Sequence, residues 1–159
     1  MKKMILTLAL VASIAGVANA QVDTKNIGLR VGGLLGYGAE VSYQHPLSSS
    51  NRIEADLGWN YYGFGLTGVY QWVWDLSALA TGFNWYAGVG AGLGVYDYDY
   101  NTNRTRNNAF NLGIAGQIGI EYNFNIPLQL SLDYRPIIYL LNNSYLSGDG
   151  IAVSARYKF

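Results

Sequence analysis

From Ile27 onward the chain alternates apolar residues with polar ones or glycine, in segments of about ten residues parted by turn-forming residues. A strand presents successive side chains to opposite faces, so each segment predicts a strand with one oily face and one polar face. The clearest segment runs from Trp85 to Tyr96. Trp85, Ala87, Val89, Ala91, Leu93 and Val95 share one face, and Tyr86, Gly88, Gly90, Gly92, Gly94 and Tyr96 share the other.

The same pattern predicts seven further strands. The first runs from about Ile27 to Leu35, the second from Ala39 to His45 and the third from Arg52 to Tyr62. Gly36-Tyr37-Gly38, Pro46 to Asn51 and Gly63-Phe64-Gly65 are the expected turns between and after them. In the fourth strand Leu66, Tyr70, Trp72 and Trp74 oppose Thr67, Gln71 and Asp75. The sixth spans about Phe110 to Phe124, and Asn125-Ile126-Pro127 turns into the seventh, where Leu128, Leu130, Leu132 and Tyr134 oppose Gln129, Ser131, Asp133 and Arg135. Pro136 removes a ladder donor, which predicts a bulge or a departure from the regular sheet there and leaves the facing of Ile137 to Leu141 open. Asp97 to Asn108 is expected to be the longest loop, Asn142 to Asp149 a second loop, and Gly150 to Phe159 the last strand.

Ahead of the first strand, Lys2 and Lys3, the apolar stretch Met4 to Val17 and Ala18-Asn19-Ala20 have the three parts of a secretory signal peptide, with cleavage expected after Ala20. A retained N-terminal anchor is the alternative; the apolar stretch falls short of the roughly 20 residues a spanning helix needs. Residues 21–159 then form a single domain. The chain has no cysteine, which removes disulfides and thiolate metal sites, and its net charge is zero, which gives no electrostatic case for nucleic acid.

Antiparallel strands with no helix to cover them form a sandwich or a closed barrel, and closure removes exposed edges. In a soluble, lipocalin-like barrel the oily face would fill the interior. Composition argues for the opposite orientation. Only 13% of residues are charged, 14% are aromatic and 20 are glycine, whereas soluble domains carry about a quarter charged residues. The polar face of the fifth and sixth strands is mostly glycine, which hydrates poorly but leaves room inside a narrow barrel for long side chains from the opposite wall. Both charge signs occur on that face. Arg30, Glu40, Arg52, Glu54, Asp56, Glu121, Asp133, Arg135 and Arg156 are therefore expected to form an ion-pair network in the lumen. Aromatics gather near strand ends: Tyr43, Trp72, Trp74, Trp85, Tyr122, Phe124, Tyr157 and Phe159 toward one rim, Tyr61, Tyr62, Phe64, Tyr96 and Phe110 toward the other. Two such girdles around an aliphatic band mark a lipid-facing barrel, with Trp72, Trp74, Trp85, Tyr122 and Phe124 the core of one girdle.

The export signal, the alternating segments and the closing Ala155-Arg156-Tyr157-Lys158-Phe159 resemble the small eight-stranded outer-membrane β-barrel proteins of the OmpA-domain and OmpX type. The resemblance implies an all-β, antiparallel, up-and-down transmembrane barrel in the bacterial outer membrane with both termini in the periplasm. It also implies that Tyr157 and Phe159 form the signal read by the barrel assembly machinery. The loops at Asp97 to Asn108 and Asn142 to Asp149 would then be extracellular.

Weighed residue by residue, catalytic motifs are weak. Gly88 to Gly94 places glycine at every second position with no helix after it, so it lacks the geometry of a phosphate loop. His45 with Ser48, Ser49 and Ser50 invites comparison with a lipid hydrolase, but a turn histidine at the periplasmic rim is the better account. Glu54, Asp56, Glu121 and Asp133 could serve as an acid/base pair or a cation site, against which the near-matched arginines favour structural pairing. Asp97-Tyr98-Asp99-Tyr100 with Arg104 and Arg106 could meet a ligand, a solvated loop being the simpler account. The expectation is a non-enzymatic barrel with a filled lumen, needing no cofactor or metal, structural or interacting through its outer loops, in contact with outer-membrane lipid. A narrow pore for small solutes or ions is the alternative, and a lipid-modifying enzyme the one after it.

Overall fold

The computed structural model describes residues 22–32, 38–60, 63–97, 108–140, 145–147 and 150–159. The expected signal at residues 1–20, Gly36 and Tyr37, Tyr61 and Tyr62, and Tyr98 to Asn107 lie outside them. Ten strands follow in order: β1 (Asn26–Gly32), β2 (Ala39–Pro46), β3 (Asn51–Asn60), β4 (Gly63–Asp75), β5 (Phe83–Asp97), β6 (Asn108–Asn123), β7 (Leu128–Tyr134), β8 (Ile137–Tyr139), β9 (Tyr145–Ser147) and β10 (Ile151–Lys158). All pair antiparallel with their neighbours. β1 pairs with β10 and β5 with β6, so the sheet closes on itself. β7 and β8 are two halves of one wall strand and β9 and β10 of another, giving a closed eight-stranded barrel. Following paired residues once round the wall displaces the path by roughly ten residues, a stagger that accompanies a strand tilt of about 40° in closed barrels.

The barrel is built inside out relative to a water-soluble one. Leu29, Leu57, Leu66, Val89, Ile114, Leu132 and Val153 point outward and are exposed, while Arg30, Gln44, Glu54, Gln71, Gln117, Asp133 and Arg156 point inward and are buried. Leu93 at 41% exposure and Ile118 at 51% decide the orientation, since a soluble barrel would have sealed both at its centre.

Three local expectations change. Gly63-Phe64-Gly65 is not a turn but the start of β4, paired with Asn60, Trp59 and Gly58. Phe64 keeps the alternation going and faces outward. Asn142 to Asp149 is not wholly loop, because β9 pairs with β8 through Tyr139↔Tyr145 and Ile137↔Ser147, continuing the hairpin. His45 lies in β2 opposite Ile53 and not in a turn.

At Pro136 the departure falls on one side only. Toward β6 the register is unbroken, from Ile118↔Tyr134 through the Gly116 amide donating to the Pro136 carbonyl at 3.0 Å to Ala115↔Ile137. Having no N–H, Pro136 cannot return that bond. Toward the last wall strand the register slips by one residue between Tyr134↔Ile151 and Ile137↔Ser147, which is the count of a β-bulge. Because the alternation of its own strand continues unbroken past Pro136, Ile137 points into the lumen, where its methyl groups lie over Gly92 and Gly113.

Residues 22–25 cross the end of the barrel that carries both termini. The Val22 amide donates to the Ser49 carbonyl at 2.8 Å, and Lys25 and Phe159 exchange backbone bonds of 3.2 and 2.9 Å. Val22 packs with Val73 and Tyr86 in a small apolar cluster at the mouth of the lumen.

Inward glycines give clearance to side chains opposite. A Cβ on Gly119 would sit 2.6 Å from the Tyr86 hydroxyl and 2.8 Å from the Asp133 Cβ. Gly119→Val is expected to destabilise the barrel by about 1–3 kcal/mol through overpacking. Urea unfolding of the protein reconstituted in vesicles measures this, and wild-type stability would remove the clearance account.

Candidate functional site: the lumen network

Most inward polar positions feed one network. The pleat sets Arg30 on β1, Glu40, Ser42 and Gln44 on β2, Arg52, Glu54 and Asp56 on β3, Gln71 on β4, Gln117 and Glu121 on β6, Ser131 and Asp133 on β7 and Arg156 on β10 toward the axis, with Arg135 just past β7. The network has two tiers.

In the tier farther from the termini, Arg30 binds Asp133 at 2.6 Å and Glu40 at 2.7 Å. Arg135 reaches across the barrel to Glu40 at 2.6 Å and to Asp56 on the opposite wall. Glu40 thus bridges two guanidinium groups. Its side chain keeps 23% of its surface, the one member of these ion pairs with substantial exposure.

In the tier nearer the termini, Glu54 is saturated. It accepts from Arg156 at 2.9 Å, Gln44 at 2.7 Å and Gln117 at 3.0 Å, and Arg156 also donates to Ser42 and Ser131. Arg52 spans from β3 to Glu121 on β6 at 2.6 Å and donates to Gln71, which in turn donates to Gln117 at 2.8 Å. Tyr86 joins the tiers. Its hydroxyl donates to Asp133 at 3.4 Å, and the Arg52 guanidinium lies 5.0 Å from its ring centre.

Such pairing answers a physical requirement. A buried ion costs several kcal/mol of desolvation, recovered only where hydrogen bonds satisfy the whole group. The glutamines and serines supply those further bonds. Sequence reasoning set them on the polar face without assigning them to the network, and it missed the inward apolar Val69, Val73 and Ala115 altogether. The only signal for these was their parity within the strand.

Glu54 and Asp56 are sealed from solvent and held by arginine, so neither meets an external substrate. His45 faces outward, its Nδ1 3.4 Å from the Tyr43 hydroxyl. Ser48 accepts from the Ser50 amide within the turn, and no hydrogen bond joins either to His45 among the described residues. No group of three or more His, Cys, Asp or Glu suited to a metal occurs among the described residues.

On the outer surface near the termini, Trp74 and Trp85 stack with ring centres 4.2 Å apart, Tyr70 meets Trp72 edge-on at 4.9 Å, and Tyr122 meets Phe124 edge-on at 4.6 Å. Tyr157 and Phe159 are exposed with nearly parallel rings 6.5 Å apart. Toward the other rim Phe64 and Phe110 are exposed, as is Trp59.

Over residues 7–159 the sequence matches the family described as outer membrane protein beta-barrel domain. The chain belongs to that family of outer-membrane β-barrel proteins. Among solved structures it is similar to Neisserial surface protein A, with 14% identity over 86% of this chain and 94% of that one at a TM-score of 0.52. The Yersinia pestis outer membrane protein Ail gives 13% identity over 86% of this chain and 97% of that one at a TM-score of 0.49. No curated protein sequence matches. Family membership places the outward apolar wall of this barrel in an outer membrane, with the charged side chains facing the axis.

Arg52→Met strands Glu121 without its guanidinium and is expected to cost about 3–5 kcal/mol. The double variant Arg52→Met with Glu121→Gln should recover a large part of that loss. A double-mutant cycle in urea gives the coupling, and additive losses would show that the pair does not act as a unit.

Proposed function

We propose that this outer-membrane barrel is a non-conducting, non-enzymatic scaffold whose lumen is filled by its own side chains and whose outer loops make its contacts. The observation that carries the reading is the tying of opposite walls at two levels, by Arg135 with Asp56 and by Arg52 with Glu121. A water-filled channel needs a far wider barrel, about 16 strands in porins, while eight strands leave an interior that side chains fill. The buried carboxylates support the same reading, since each is held by arginine.

In this reading both termini lie in the periplasm, and the segments Asp97 to Asn108 and Asn142 to Asp149 lie toward the cell exterior. The loop composition, with Asp, Tyr, Asn and Arg, suits polar recognition. Tyr157 and Phe159, exposed on the strand that closes the barrel, would present the aromatic signal to the assembly machinery before closure.

Planar-bilayer recording tests the lumen. The wild-type protein is expected to give no steady open current, whereas Arg135→Ala combined with Arg52→Ala, which cuts both cross-lumen ties, should raise the frequency of openings. Steady wild-type conductance would overturn the closed lumen. The absence of enzyme activity is tested by mass spectrometry of lipid A after expression, where an altered acyl pattern lost in His45→Ala would overturn it.

A further inference from the structure

The three turns at the terminus-bearing end have an unusual composition for segments bordering water. They read Leu47 to Ser50, Leu76 to Gly82 and Phe124 to Pro127, and none contains Asp, Glu, Lys or Arg. Each instead exposes one large aliphatic side chain: Leu47 at 51%, Leu79 at 79% and Ile126 at 60%. Water-facing turns normally carry charge.

The flanking charges are turned to local bonds. Asp75 accepts from the Ser77 amide and hydroxyl, both at 2.7 Å, and the Lys158 ammonium donates to the Phe124 carbonyl at 2.7 Å. Two of the three aliphatic residues lie just beyond strands whose outward face is apolar. Leu47 follows Tyr43 and His45 in parity, its amide bonded to Asn51, which pairs with Trp72. Ile126 follows Tyr122 and Phe124.

Leu79 caps a compact turn closed by the Leu76 amide and the Phe83 carbonyl at 2.8 Å, two residues beyond the stacked Trp74 and Trp85. At about 3.3 Å of rise per residue on tilted strands, the turn begins roughly 5 Å past those rings. Tryptophan rings settle at headgroup level, and the headgroup layer is about 5–7 Å deep on each side. With the rings at the inner edge of that layer, the turn begins inside it.

We infer that the three turns are seated in the phospholipid headgroup layer, with Leu47, Leu79 and Ile126 as lipid anchors, and do not project into the aqueous compartment. This surface is continuous with the lipid-facing wall and independent of whether the lumen conducts.

The absence of native cysteine makes the test direct. Leu47→Cys, Leu79→Cys and Ile126→Cys are each labelled with bimane, reconstituted in vesicles of phosphatidylethanolamine and phosphatidylglycerol, and titrated with iodide. Val153→Cys, on the exposed outer wall, is the control for insertion. Once that control is shielded, labels at all three turns are expected to be quenched at least about threefold less than in the same chain unfolded in urea, and to be quenched by brominated acyl chains. A smaller protection from iodide at the turns overturns the proposal and assigns the apolar turns to a protein partner in the aqueous compartment.

Discussion

The guanidinium–carboxylate bonds across the lumen are the interaction on which this barrel depends. An eight-stranded barrel has a fixed, narrow interior, and in a membrane the oily side chains that fill a soluble core are needed outside. The interior must then be filled by polar groups, which are stable there only as a fully paired set. Four arginines, five carboxylates and a surround of glutamine and serine meet most of that demand, with Asp56 Oδ1, Gln129 Oε1 and Ser154 Oγ left without a partner. The glycines follow from the same constraint, since each long side chain needs a bare wall to lie against, as Tyr86 does at Gly119.

How far the sequence discloses this architecture depends on what a period of two encodes. Alternation from Trp85 to Tyr96 identifies the strand and its two faces without ambiguity, and low charge with abundant aromatics says which face meets lipid. Alternation does not encode height on the wall or distance around it. That Arg135 would reach Asp56 and Glu40, 79 and 95 residues away, depends on the stagger of the whole barrel, which no local pattern carries. Val69 and Val73 break the polar rule of the inner face because one backs the space beside Gly88 and the other meets Val22, contacts absent from any single strand.

Errors in the local reading share a cause. Gly63-Phe64-Gly65 looks like a turn because glycine usually punctuates chains, yet in a small barrel glycine is also the residue of a crowded interior wall. Tyr145 to Ser147 is short and flanked by asparagine, serine, glycine and aspartate, so its pairing with β8 is visible only once the hairpin is assembled. At Pro136 the chemistry of the missing N–H was legible, whereas the side of the strand that would absorb the slip was set by its neighbours.

The pairing of β1 with β10 has a consequence for how such a chain reaches its final state. Asn26 meets Lys158 and Gly32 meets Ala152, so the earliest strand waits for the very last one. Until the C-terminal residues arrive, two strand edges stay unsatisfied and Arg30 of β1 has no closed wall to hold it against Asp133 of β7. Completion is consequently a late, all-or-none event governed by contacts of the greatest sequence separation, the kind that folds slowly. A chain shortened at its end would not be a smaller barrel but an unsealed sheet.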